Sequence, residues 1–311
     1  MRPRLFDVRA NDVSTQDVPV LRPWKQIALD PDYAGAWIVA GDLDGDGQVE
    51  IVSARNFNEN DVHDTSSVVV HRLDGSVLWR WGDPAGGRNQ LHHDVACQIY
   101  DWDGDGRAEV VLATRAGPEG PAALVELEGA TGREKRRFSI PPEATDCVTF
   151  ADLAGRGRAS EVLVKTRYGQ LWAYGYEGTL LWTVAEPAGF KTAHQARPLD
   201  LDGDGRDEIV AGYALLNPDG TLRWDLRGIV PEGGHLDCVR VYQAGPTPAD
   251  WRLVLTSCGG NQIAMIDGEG RPIWALRGHH FESIEVGTVC AGVPGRQIVV
   301  DIDHRPRGES P

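Results

Sequence analysis

Asp42, Asp44, Asp46 and Glu50 stand at positions 1, 3, 5 and 9 of one short segment, with glycines at positions 4 and 6. The arrangement returns at Asp101, Asp103, Asp105 and Glu109, and again at Asp200, Asp202, Asp204 and Glu208. Alternating carboxylates on a glycine-rich turn deliver several oxygens to one point, which suits calcium and its demand for about six to eight oxygen ligands. Gln48, Arg107 and Arg206, at position 7, would each add a carbonyl. The expectation is up to three structural calcium ions, against the bland alternative of plain Asp-Gly turns. An EF-hand is excluded, because Glu comes at position 9 and an apolar strand-like run follows. A fourth copy, Asp152 to Glu161, carries Ala154 and Arg156 in place of two carboxylates and is expected to hold no metal.

The loops also identify the elements that carry them. Their starts at 42, 101, 152 and 200 are spaced by 59, 51 and 48 residues, and each loop precedes a run such as Val162-Leu-Val164 or Ile209-Val210. Between loops lies a second half-unit with a turn and a Trp: Leu73 to Trp79, Tyr176 to Trp182, Pro218 to Trp224, Asp267 to Trp274. These tryptophans are read as packing residues. Worn copies begin near Cys238 and Val286. Each unit therefore reads strand, Asp/Gly loop, strand, connection, strand, tight turn, strand. Four antiparallel strands per repeat of this length predict an all-β fold, a β-propeller of four-stranded blades. Six blade starts are visible and the last is incomplete, so a complete ring would have seven or eight. Residues 1–36 form an N-terminal segment that could close the ring, and 37–311 form the propeller.

A net charge of −15 disfavours nucleic acid as a partner. Occupied calcium loops would cancel part of it. No apolar stretch is long enough to span a membrane, and no export signal is evident at Met1-Arg-Pro-Arg. Five cysteines without a CxxC pair argue against a disulfide framework; Cys97, Cys147 and Cys238 are read as small buried residues. The expectation is a cytoplasmic monomer, with an extracytoplasmic setting as the alternative that calcium loops suggest.

Propeller topology sorts the nine histidines. If the Asp/Gly loops lie on one face, all but His71 fall on the other, most where an innermost strand begins. They arrive with polar neighbours: His92-His93-Asp94, Asp146, His194-Gln195, His235-Leu-Asp237 and His279-His280-Phe-Glu282. Residues two apart share a strand face. Around the same rim stand Arg115, Lys165, Arg167 and Tyr168. Histidine with carboxylate suits a metal or a proton transfer, and Lys or Arg suits an anion.

Gly41 to Val52, Leu73 to Trp79, and above all His92-His-Asp-Val-Ala-Cys-Gln-Ile-Tyr-Asp-Trp-Asp-Gly-Asp-Gly-Arg-Ala-Glu-Val110 resemble the catalytic propeller of rhamnogalacturonan lyases, polysaccharide lyase family 11. The resemblance spans roughly residues 37–230. The Asp/Gly loops alone are shared with FG-GAP and integrin-like propellers; Lys165-Thr-Arg167 is more telling. The resemblance implies β-elimination on a uronic-acid polymer, with an acidic polysaccharide or oligosaccharide as partner. Such chemistry needs a base for the proton α to the carboxylate and cations to tolerate the enolate. His194 or Lys165 would be the base, Arg167 and Arg115 the carboxylate clamps. His93, His235, His280, Gln195 and Asp237 would be sugar contacts or ligands of an additional divalent metal on the axis. The competing reading is a non-catalytic, calcium-braced propeller that binds glycan or protein.

Overall fold

In the computed structural model, residues 4–7, 22–56, 64–87, 96–116, 120–231, 234–289 and 292–303 are described. The chain is all-β there, apart from three single-turn 3-10 segments. After β1 (Arg4–Asp7), the first sheet contains β2 (Trp37–Gly41), β3 (Glu50–Asn56), β4 (Thr65–His71) and β5 (Val77–Gly82). The second contains β6 (Cys97–Tyr100), β7 (Glu109–Arg115), β8 (Ala122–Glu128) and β9 (Glu134–Ile140). The third contains β10 (Cys147–Ala151), β11 (Glu161–Lys165), β12 (Gln170–Tyr174) and β13 (Leu180–Ala185). The fourth contains β14 (Thr192–Leu199), β15 (Glu208–Gly212), β16 (Ala214–Leu216) and β17 (Leu222–Asp225). The fifth contains β18 (His235–Gln243), β19 (Arg252–Cys258), β20 (Gln262–Ile266) and β21 (Pro272–Arg277). β22 (His280–Gly287) and β23 (Gln297–Asp303) form the sixth. Each sheet is an antiparallel meander; β1 adds in parallel to the outer edge of the fifth, on β21.

The apolar runs are continuous because the second strands are buried on both faces. In β11, Val162 and Val164 enter the core shared with the second sheet, while Leu163 enters the core shared with the fourth. β7 and β15 divide in the same way. Five apolar clusters thus alternate with six sheets, each cluster filling one gap between neighbours. The leading strands β2, β6, β10, β14, β18 and β22 contribute Trp37, Gln98, Thr149, Arg197, Asp237 and Glu282 to one common cavity.

A second device joins the sheets at their outer strands. The third residue of the fourth strand donates a hydrogen bond to a turn carbonyl of the next sheet: Trp79 Nε1 to Gly129 at 2.7 Å, Trp182 Nε1 to Pro218 at 2.9 Å, Trp224 Nε1 to Gly268 at 3.0 Å. In the second sheet Arg136 takes this place and donates to the Tyr176 carbonyl. A glycine in each receiving turn makes room. A Cβ on Gly220 would lie 2.8 Å from Trp182, and its φ of 82° disfavours other residues. The tryptophans are packing residues with a satisfied N–H. Cys97 and Cys147 are buried as expected, Cys238 partly. Among the described residues no helix is long and apolar enough to cross a membrane.

Candidate functional site

The four Asp/Gly loops connect the first and second strands of the first four sheets. In the first, Asp42 accepts from Gly45 N–H at 2.8 Å and Gly47 N–H at 3.0 Å, and Glu50 accepts from Leu43 N–H at 2.8 Å. The glycines at φ of 78° and 82° let the backbone wrap around the first carboxylate. The third loop keeps this wrap, with Asp152 accepting from Arg156 and Gly157 N–H, while Arg156 pairs with Glu161 at 3.3 Å.

The three acidic loops are not equivalent. Carboxylate oxygens of Asp42, Asp44 and Glu50 converge within 4.8 Å, as do those of Asp101, Asp103 and Glu109 and of Asp200, Asp202 and Glu208. In the second loop, Lys135 Nζ lies 2.5 Å from Asp103 and 2.8 Å from Glu109. In the fourth, Arg223 Nη1 lies 2.8 Å from Asp202 and 2.5 Å from Glu208. Although burial opposes its charge, the two carboxylates raise the Lys135 ammonium above its ordinary value. Leu78 is the matching second residue of the fourth strand in the first sheet. There Arg72 reaches Asp44 Oδ2 at 2.9 Å from an exposed turn, and Asp44 Oδ1 is buried without a hydrogen-bond partner. The first loop therefore fits a calcium ion best. In the other two, a side-chain cation already bridges the carboxylates that would bind one. Asp46, Asp105 and Asp204 instead cap the N–H of Gln48, Arg107 and Arg206.

At the opposite strand ends, the fourth, fifth and sixth sheets bring three histidines together. His235 and Asp237 occupy one face of β18, and His194 lies near the start of β14. His194 Nε2 is 3.1 Å from His235 Nε2 and 3.3 Å from Asp237 Oδ1; His235 Nε2 is 3.1 Å from the same oxygen. Burial alone would raise the Asp237 carboxyl, but hydrogen bonds from the two imidazoles hold it below its ordinary value. Tyr168 packs against both rings, edge-on to His194 with centroids 5.6 Å apart and tilted over His235 at 4.5 Å. The Arg167 guanidinium lies 4.7 Å from the Tyr168 ring centroid and Lys191 Nζ 5.2 Å. His280 opens β22 and places Nε2 at 3.1 Å from Cys258 Sγ and 3.0 Å from Glu282.

Lys165 is buried and differs from a free base. Its Nζ is 2.5 Å from Asp146 Oδ2 and donates to the Arg167 carbonyl at 2.9 Å, so it fixes the backbone that carries Arg167. Arg115 ends β7 in the second sheet, where Asp64 holds it at 2.6 Å. Gln195, next to His194 in β14, lines the common cavity together with it. His93 lies outside the described residues. Cys258 and Tyr168 were given no role by sequence reasoning. A signal for Cys258 existed: aligning Leu253 with Val162 puts it at the rim position of Arg167, and β19 pairs it directly with His235.

Residues 16–131 match the family model described as rhamnogalacturonan lyase family 11, C-terminal domain. The chain is 28% identical to the rhamnogalacturonan endolyase YesW of Bacillus subtilis (strain 168), over 86% of its own length and 50% of the relative's. It is 27% identical to the exolyase YesX of the same organism, over 74% of its length and 46% of that protein's. The chain is thus similar to family 11 rhamnogalacturonan lyases. It spans about half the length of the curated relatives it matches. The fold agrees with this similarity: the crystal structure of YesW superposes with a TM-score of 0.64 at 20% identity, covering 91% of this chain and 58% of that one. The Bacillus licheniformis family 11 lyase gives 0.62 at 21%, covering 90% and 58%. The V. cholerae biofilm matrix protein Bap1 shares the fold at 0.57 and 19%, covering 85% and 43%, so architecture alone does not specify lyase chemistry.

Proposed function

We propose that this chain is a β-propeller that cleaves a rhamnogalacturonan-type glycan by β-elimination, with its six sheets as blades around the common cavity. The observation that carries the chemistry is the His194–Asp237–His235 cluster, with Arg167 and Tyr168 beside it. His194 removes the proton α to the uronate carboxylate. The electrons form the new carbon–carbon double bond as the glycosidic oxygen leaves. Asp237 accepts from the imidazoles and stabilises the imidazolium that results. Arg167 offers the charge that the uronate carboxylate needs as the enolate develops. Of the two candidate bases, His194 is the better placed, because Lys165 would have to lose its proton beside Asp146.

Incubation with rhamnogalacturonan I and polygalacturonate, with calcium and manganese supplied, is expected to release unsaturated uronate, visible as the ultraviolet absorbance of the conjugated double bond. No such product from either polymer would sink the reading and leave a non-catalytic glycan-binding platform.

The calcium reading is proposed for the first loop, as a brace without chemical duty. Calcium at one hundred times its Kd contributes about 2.7 kcal/mol, which raises Tm by several degrees in a chain of this size. Differential scanning calorimetry with calcium and then with chelator measures it. The Glu50→Gln variant should lose the rise; an unchanged rise would exclude this loop.

A further inference from the structure

Asp237 uses one carboxylate oxygen twice and the other not at all. Oδ1 receives both His194 and His235, while Oδ2 is buried without a hydrogen-bond partner. Its side chain is 7% exposed. Cys258 and His280 are neighbours of this carboxylate, and single ligand atoms of Asp237, Cys258 and His280 all lie within 4.8 Å of one another. We infer that Asp237, Cys258 and His280 form a site for one thiophilic divalent metal of the zinc class, adjoining the His194–His235 pair.

The donor types decide the metal class. Calcium prefers an all-oxygen shell and ranks below zinc for thiolate and imidazole, whereas one thiolate, one imidazole and one carboxylate suit zinc. Three protein ligands leave a coordination position open, the pattern of sites that bind an exogenous ligand. Three different strands supply the set. β19 ends with Cys258 opposite His235, the first residue of β18, and His280 opens β22. His280 Nε2 contacts both Cys258 Sγ and Glu282, so the imidazole already faces the thiol. Division of labour follows. Oδ2 of Asp237 serves the metal and Oδ1 the imidazoles, so His194 need not be a ligand and remains available to move a proton. A uronate carboxylate is the chemical class that would occupy the open position. That last role rests on the lyase reading, whereas the metal site does not.

The test uses cobalt(II) as the spectroscopic stand-in on the full chain. One equivalent should give near-ultraviolet thiolate-to-cobalt charge transfer and the visible bands of four-coordinate cobalt. Both should vanish in Cys258→Ser and His280→Ala and persist in Cys147→Ser. Zinc should displace the cobalt, and a hundredfold excess of calcium should not. Zinc affinity should fall in Cys258→Ser by more than the roughly 10–100-fold that loss of an outer-shell partner costs. Should that variant fail to fold, alkylation of Cys258 in the unmodified chain, mapped by mass spectrometry, should slow at least tenfold with zinc. Absence of charge transfer, its survival in Cys258→Ser, or unprotected alkylation would overturn the inference. Thiolate-bound cobalt without release of unsaturated uronate would uphold the site and refute the lyase reading; turnover without that signature would do the reverse.

Discussion

Lys165→Met is expected to lower stability by about 3–5 kcal/mol, the cost of breaking a buried ion pair from one side. Lys165 and Asp146 are each 3% exposed, with Nζ and Oδ2 2.5 Å apart. Methionine retains much of the aliphatic stem but leaves the Asp146 carboxylate buried without its cation. The Arg167 carbonyl also loses its shorter hydrogen bond and keeps the longer one from Thr192 Oγ1 at 3.4 Å. Urea denaturation should show a lower midpoint with an unchanged slope. Adding Asp146→Leu should recover much of the loss, because replacing both partners by apolar groups removes the stranded charge. A single variant within 1 kcal/mol of the parent would show that the ammonium is not needed there.

The second large effect is on activity. His194→Ala should reduce kcat by about 10²–10⁴-fold, the usual contribution of a positioned base, while KM changes little. His235→Ala should cost less, since His235 meets Asp237 and His194 but is not assigned the proton. Asp237→Asn should impair kcat too, by removing the charge that stabilises imidazolium. Purified variants with unchanged melting, assayed by initial rates across substrate concentration, separate these cases. Equal loss of kcat in His194→Ala and Lys165→Met, with both folded, would return Lys165 to the role of base.

Much of this architecture was legible in the sequence because the Asp/Gly loops recur with fixed internal spacing. Those loops set strand boundaries, and the boundaries placed His194, His235 and His280 at one end of the sheets. Less was legible where function depends on partners in other strands. Lys165 reads as an exposed rim cation until Asp146, across the β10–β11 pair, buries and claims it. Likewise Lys135 and Arg223 sit in their loops from the fourth strands of the second and fourth sheets, which no inspection of the loops alone reveals. Cys258 was overlooked because its importance comes from facing His235 across a strand pair and from His280 opening the next sheet. The N-terminal segment was assigned a possible closing role; its strand β1 lies on the fifth sheet, where register with β21 defines it.

The outer-strand hydrogen bonds carry a mechanical implication. Each ties a sheet to its immediate successor, so coupling passes along the chain in one dimension, as in other repeat architectures. These ties restrain splaying of the first five leading strands, and the spacing of side chains from β14 and β18 is held from the periphery. Loosening one tie, by Trp224→Phe for example, would act as a hinge between the fourth and fifth sheets. His194 and His235 come from those two sheets, so their separation is governed by an indole some distance along the strands from either ring.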